Sequence, residues 1–530
     1  METNVKGGAP GMRNIDPIEL EILWTNLIGI VSERAKAMQR TAFSPIVREA
    51  GDLACALFDR RARMVAQADT GTPGHINALA NAGKTLTDMF EGDLHPGDVI
   101  ITNDPWLSAG HLFDITLLTP VFFGGTLKGY FGSTIHYTDI GGTGLGTEAR
   151  DAHEEGLWIP PLKLYERGAR NETLIRMIEA NVRTPKAVLG DLSAQLAAGH
   201  SVAERLQRLC ERHGLDDIEL VSDEILRRSE NATRETIRAL KPGTYRGSSQ
   251  FDTPNGDVVH LNVAVTIDTK AGDIIVDFEG SSPQTRQGIN VVLNFAHAYT
   301  TFAIRSCLNP DLPNNAGSLA PIKIKAPKGS IVNCTYPAPV TGRHLVGMYV
   351  PMPILKALQP VFPERVLAEG SGAIWTVQIQ GKHDTGESFT SSMFFFSGGM
   401  GGRAGKPGPS ATCYPTGIGA IPIETLEASM PILFDYKRLR PNSGGHGRSP
   451  GGDGQSVQFR LLTEHPWTMS VMTTRLDRGA EGIDGGEPGA PGQFLINGAS
   501  TKSAGKRLMN AGDVVQFETP GGGGYGPPQK

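Results

Sequence analysis

Cysteine is scarce and scattered in this chain. Its five cysteines, Cys55, Cys210, Cys307, Cys334 and Cys413, are odd in number and form no C-x-x-C pair. That excludes a thiolate zinc site and a disulfide framework, and it points to the reducing cytoplasm. No run of eighteen apolar residues occurs, and the stretch METNVKGGAPGMRN has no apolar centre of the signal-peptide kind, so neither membrane spanning nor secretion is expected. Positive charge is not in excess: 50 Lys and Arg stand against 55 Asp and Glu, a net charge of -5. Nucleic acid and anionic membranes therefore have no electrostatic claim on the surface. There is no G-x-S-x-G elbow for a serine hydrolase. The one nucleotide-like string, Ala78 to Thr85 (A-x4-G-K-T), lacks a glycine-rich turn and a preceding strand, and it reads as helix. Small molecules and other proteins are left as partners.

What the chain has in quantity is glycine (66) and proline (36) spread over 530 residues, which predicts a turn-rich α+β protein with several cores. Asp16 and Pro17 read as the cap and first residue of a long helix whose apolar stripe, Leu20 to Met38, keeps the 3.6-residue period until Ser44-Pro45. Residues 52–58 and 64–66 then read as two strands joined by a tight turn, residues 76–90 as a helix, and Ile100-Ile101, 115–123 and 129–135 as strands. These elements make a mixed N-terminal region over 15–170. A helical segment over 171–243 follows, then a β-rich α+β region over 244–370 with a helix at 345–362. A glycine-rich β region closes the chain over 371–530. Its glycine loops, Phe394 to Gly408, Ser443 to Gly454 and Pro520 to Pro527, are expected to be backbone devices for turns with positive φ, not ligand loops.

Chemistry concentrates in one stretch. His111 and Asp114 lie three residues apart where the chain enters an apolar strand, and the return strand after Gly124-Gly125 ends at His136. A three-residue loop (Gly124, Gly125, Thr126) would put Asp114 directly opposite His136, whereas a two-residue loop would shift the register by one. Opposed residues suit two ligands of one ion. His111 can fold back to the same point, and Asp52, ahead of another strand, can supply a fourth ligand. Two imidazoles and two carboxylates suit Zn²⁺, Mn²⁺ or Fe²⁺ with a position open to water, bicarbonate or a substrate oxygen. The plainer reading makes His111 and His136 hydrogen-bonded histidines at a hairpin end. Asp104 and Asp139 flank the site as partners that could orient the histidines, or as turn caps. His75 could line a substrate pocket, or simply begin a helix. Glu154 and Glu155, after the loop Gly141 to Gly146, could act on protons, with surface exposure the default for adjacent glutamates.

The strings NDPWLSAGHLFDITLLTPVF, TIHYTDIGG, HEEGLWIPPLKLY, NVRTPKAVLGDLSAQLAA, DFEGSSPQTRQGIN, SGGMGGRAGKPG, RPNSGGHGRSPGGDGQ and TPGGGGYG occur in that order from about residue 15 to 527. Together they resemble the hydantoinase B/oxoprolinase family. The resemblance implies an ATP-dependent system of two subunit types. A hydantoinase A-like partner binds ATP and phosphorylates the substrate, and the B-type chain opens the ring of a hydantoin, 5-oxoproline or lactam at a divalent metal. It also implies a hetero-oligomer with two or more copies, and Asp52, His111, Asp114 and His136 as the metal ligands. Ketone carboxylase subunits are relatives, so an ATP-dependent carboxylase is the alternative enzyme, and a non-catalytic scaffold for the ATPase subunit is the alternative of another class. Where the family more often has Tyr-x-Gly-Gly-Thr ahead of the histidine, this chain has Trp106-Leu107-Ser108-Ala109-Gly110, which leaves the substrate open.

Overall fold

The computed structural model describes residues 15–392, 396–502 and 505–528; the N-terminal glycine-rich tail and Phe394 lie outside them. Helix α1 (Pro17–Thr41) begins where Asp16 accepts from the Ile18 and Glu19 amides. It ends because Ala42 turns extended and the buried Asp191 carboxylate takes the amides of Phe43 and Ser44, at 2.7 and 3.0 Å, just before the short α2 (Pro45–Arg48).

The N-terminal region is built on a seven-stranded sheet. Its strands are β1 (Leu53–Asp59), β2 (Met64–Gln67), β3 (Val99–Thr102), β4 (Asp114–Phe123), β5 (Thr126–His136), β6 (Leu162–Glu166) and β7 (Ala169–Arg170), in the order β2-β1-β5-β4-β3-β6-β7. All seven residues of β1 are buried because both faces of the sheet are covered, as a continuous apolar strand requires. Ala54, Ala56 and Phe58 point to helix α3 (Pro73–Met89), together with Leu118 and Tyr130. Leu53, Cys55 and Leu57 point to the opposite face, with α1 and helix Pro185–His200. The alternation of side chains along a strand therefore puts Asp52, Asp114 and His136 on the α3 face.

The β4–β5 hairpin reaches the expected register by another route. The loop holds only Gly124 and Gly125, with φ of 53° and 80°, and Phe123 faces Thr126. A bulge at Lys128 then adds back one residue, so that Asp114 pairs with His136. Pro120 is tolerated in β4 because β3 faces only Thr116 to Leu118, beyond which no ladder amide is needed.

Four helices between Glu172 and Arg238 form the helical segment, followed by a four-stranded sheet and two five-stranded sheets. The helix expected at 345–362 is two pieces, His344–Gly347 and Pro351–Leu358, since Pro351 and Pro353 cannot continue the earlier turn. Lys84 sits on α3 and pairs with Asp88 at 2.8 Å, as a helical reading of that segment requires. No helix among the described residues is long and apolar enough to cross a membrane.

The glycine loops are structural, but not for the reason expected. Among the described residues of the three stretches, only Gly405 and Gly526 have positive φ. The loops around 399–402, 443–452 and 521–524 instead run against one another, backbone to backbone. Gly522 donates to the Gly452 carbonyl at 3.0 Å and its own carbonyl accepts from Gly445 at 2.8 Å. A Cβ on Gly522 would lie 2.1 Å from the Met400 carbonyl oxygen, so close approach of chains, not turn geometry, demands glycine here.

Beside this bundle, Glu369 is buried and accepts from Arg475 at 2.6 Å, Lys356 at 2.7 Å and Ser249 at 2.7 Å. Burial alone would raise its pKa, but the two cations outweigh burial and hold it at about 2, below its ordinary 4.5. A folded value below the unfolded one stabilises the fold above the unfolded pKa, and this contribution is lost as pH falls from about 4.5 towards 2. The linkage amounts to about 3 kcal/mol. Glu369→Gln is expected to lower stability at pH 7 and to flatten the pH 5 to 2 limb of a denaturant titration; an unchanged limb would refute the assignment.

Candidate metal centre

Three neighbouring strand ends deliver the site. Leu53 pairs with Ile135, Ile135 with Ile115, and His136 with Asp114, while the His136 amide donates to the Asp52 carbonyl at 3.2 Å. Asp52, His136 and Asp114 thus form a row across β1, β5 and β4. His75, in the first turn of α3, lies above the row. Its Nε2 is 2.9 Å from Asp114 Oδ2 and its Nδ1 is 3.4 Å from Asp52 Oδ1. His111 arrives from the loop before β4.

The ligand atoms of His111, Asp114 and His136 lie within 4.8 Å of one another, and all three residues are buried. Asp52 is not in that group and faces the same cavity from beside His75. Burial, with Arg343 adding to it, depresses the pKa of His111; burial depresses that of His136 still further. Both shifts favour the neutral imidazole. The Nδ1 of His111 lies 2.9 Å from the Thr341 carbonyl, which can only accept, so the ring's single proton sits there and Nε2 carries a lone pair. That lone pair lies 2.9 Å from Asp114 Oδ1. Burial would raise the Asp114 pKa, yet His75 and the Arg343 guanidinium on Oδ2 hold it well below the usual carboxylate range. Two electron-rich atoms therefore face each other with no proton between them. Neither finds a hydrogen-bond donor, and neither does either nitrogen of His136.

Buried acceptors without donors cost free energy unless something electropositive joins them. A divalent cation meets the requirement: two imidazole nitrogens and one carboxylate oxygen are the donor set of a three-ligand site with an open position. The residues present fit a metal.

Of the groups at the site, motif spacing does not point to Arg343, and it places Glu155 wrongly. Arg343, buried, donates through Nη2 to Asp114 Oδ2 and through Nε to the Ala109 carbonyl at 2.6 Å, and its guanidinium lies 4.0 Å over the Phe295 ring. Gly110, with φ of 95°, leaves the room: a Cβ there would sit 2.8 Å from Arg343 Cδ. Glu155, expected at the surface, is fully buried. Burial pushes its pKa up to about 7 against the opposing pull of the Thr341 and Val340 amides. Glu154 is the partly exposed one and pairs with Arg150.

Asp104 and Asp139 do not touch the histidines. Asp104 caps the turn at Trp106, whose amide it accepts at 2.9 Å. Asp139 takes the Gly141 amide at 3.0 Å and the Arg183 guanidinium at 2.8 Å. Burial raises the Asp52 pKa to about 6, with His75 pulling the other way. The cavity at the site is small, about 40 Å³, walled by Phe295, Tyr299, Ile374 and Ile418 on its apolar side.

A family model described as hydantoinase B/oxoprolinase matches residues 16–528. The chain is 32% identical to a putative D-/L-hydantoinase polypeptide of the B type from Pseudomonas sp., covering 98% of this chain and 91% of that one. It is 28% identical to 5-oxoprolinase 1 of Arabidopsis thaliana over 96% of its own length, but it spans only 42% of that protein. Among solved structures it is similar to an ATP-dependent caprolactamase from Pseudomonas jessenii, with a TM-score of 0.87 and 26% identity over 97% of this chain and 92% of that one. An acetone carboxylase in nucleotide-free form shares the fold, with a TM-score of 0.89 at 20% identity, covering 98% of this chain and 76% of that one.

Proposed function

The chain belongs to the hydantoinase B/oxoprolinase family, and we propose that it is the metal-binding subunit of an ATP-dependent cyclic-amide hydrolase, working in the cytoplasm with a separate ATP-binding subunit. The relatives that are hydantoinase and caprolactamase chains support the substrate class. The observation that carries the metal is the buried pair of facing lone pairs on His111 Nε2 and Asp114 Oδ1, 2.9 Å apart.

Zn²⁺ or Mn²⁺, with Fe²⁺ as the third choice, would be held by His111, Asp114 and His136, with Asp52 closing in as a fourth ligand. When bound, the metal supplies Lewis acidity to a carbonyl and stabilises developing negative charge. The chain's own groups set the geometry. Asp114 divides its oxygens, Oδ1 toward His111 Nε2, where it could join in holding an ion, and Oδ2 to His75 and Arg343, so the carboxylate cannot rotate. The Thr341 carbonyl holds the His111 proton on Nδ1. The apolar wall keeps bulk water away, which strengthens every charge interaction inside. A cavity of about 40 Å³ holds an ion and a water, while small-molecule pockets run to ~300–1,000 Å³. Substrate therefore enters only when the wall moves. The adjoining cleft, which shares Thr72 and Thr416 with the cavity, is the approach.

Assembled with its ATP-binding partner, the chain is expected to support ATP hydrolysis only when a hydantoin, 5-oxoproline or lactam is present, with ring-opened product formed in step. Ring opening at full rate without ATP would overturn the proposal. Bicarbonate-dependent formation of a β-keto acid from a ketone would assign carboxylase chemistry instead.

A further inference from the structure

Glu155 has no contact with any of the three proposed ligands, yet its carboxylate is among the most deeply buried in the molecule. Its Oε1 accepts from two consecutive backbone amides, Val340 at 2.6 Å and Thr341 at 2.7 Å. Those amides open a tight turn from 340 to 343, closed by the Arg343 amide on the Val340 carbonyl at 2.9 Å. Two outer contacts of the proposed ligands leave from this turn: the Thr341 carbonyl accepts from His111 Nδ1, and the Arg343 guanidinium donates to Asp114 Oδ2, which His75 also meets from α3.

The other end of Glu155 is equally fixed. Its segment is tied to the continuation of β5, with Thr143 donating to the Glu154 carbonyl at 2.9 Å and Leu157 to the Ile140 carbonyl at 2.8 Å. A Cβ on Gly142 would meet the Glu154 carbonyl at 2.5 Å. One side chain thus joins the stretch just beyond His136 to the turn that holds His111 and Asp114.

From this geometry we propose that Glu155 is a positioning residue for the metal: it clamps the 340–343 turn, and the turn sets the tautomer of His111 and the orientation of Asp114. The proposal rests on the metal reading above. A group hydrogen-bonded directly to a ligand is worth about 10–100-fold in metal affinity; Glu155 acts one bond further out, through the turn, so the low end of that range applies. The clamp uses Oε1 as an acceptor, and a glutamine carbonyl offers the same acceptor in the same place.

The test is the dissociation constant for Zn²⁺, measured by chelator competition on the full chain, together with the visible spectrum of the Co²⁺-loaded protein. Glu155→Ala is expected to weaken Zn²⁺ binding by about 10-fold, the low end of a direct partner's effect, and to shift the Co²⁺ bands, and Glu155→Gln is expected to restore both. Metal-free melting curves show that the variants compared are folded. Parental affinity and spectrum in a folded Glu155→Ala protein would overturn the clamp, as would a glutamine variant as weak as the alanine one. Failure of the parent chain itself to bind Zn²⁺ or Co²⁺ would overturn the metal reading instead, so the two failures are told apart.

Discussion

Alanine at both His111 and His136 is expected to abolish metal binding and, with the ATP-binding partner, all ring opening, while assembly with that partner persists. Loss of an orienting partner alone costs about 10–100-fold in metal affinity, so loss of two ligands leaves occupancy undetectable at ordinary concentrations. The metal-free fold is expected to lose some stability: the substitution removes the unsatisfied nitrogens of His136 and Nε2 of His111, but it also removes buried volume and the His111 Nδ1 bond to the Thr341 carbonyl. The diagnostic measurement is the melting temperature with and without added Zn²⁺. In the parent, binding to the folded state raises it by mass action; in the double variant the two temperatures coincide. Elemental analysis gives the same answer independently. Full activity in the double variant would make the chain a scaffold and remove the basis for the metal chemistry.

The second large effect lies far from the site. Gly522→Ala is expected to cost more than about 4 kcal/mol, enough to leave the chain insoluble on expression. The added Cβ would meet the Met400 carbonyl oxygen at 2.1 Å and the Gly401 nitrogen at 2.8 Å. Both are backbone atoms held by further bonds, so neither can give way as a flexible side chain would. Gly512 supplies the contrast: its φ is 80°, but nothing lies within 4 Å of an added Cβ. Gly512→Ala is therefore expected to cost only about 1 kcal/mol, the strain of a left-handed residue with a side chain. Denaturant unfolding of the two variants, or their recovery in the soluble fraction, measures the difference; similar behaviour of the two would refute the close-packing account.

The sequence exposed the candidate metal residues because their placement is local. A histidine and an aspartate three residues apart at a strand start, with a second histidine ending the return strand, can be placed by period alone. Even there the inference reached the right register through a loop of the wrong length, corrected by the bulge at Lys128, which no pattern of apolar residues announces. Arg343 was illegible because it meets Asp114 from 229 residues away, and an arginine in a Thr-Gly-Arg-His string carries no mark of that contact. Glu155 was misread because adjacent glutamates are ordinarily exposed, and only the fold supplies the amides of Val340 and Thr341. The glycine-rich stretches announced backbone constraint, but one chain segment cannot disclose which other segments press against it.

Those pressed segments also govern how the chain comes to be folded. The run 520–526 accepts from or donates to backbone groups at Gly399, Gly402, Gly445, Ser449, Gly452, Ile483 and Glu487. Until that run has been synthesised, those loops have no partners for much of their backbone, and a nascent chain carries them unsatisfied beside the two C-terminal sheets. Closure of this region is consequently a late, long-range event of the sort that slows folding, whereas the β4–β5 hairpin that carries His136 and Asp114 can zip up from contacts made within its own two dozen residues.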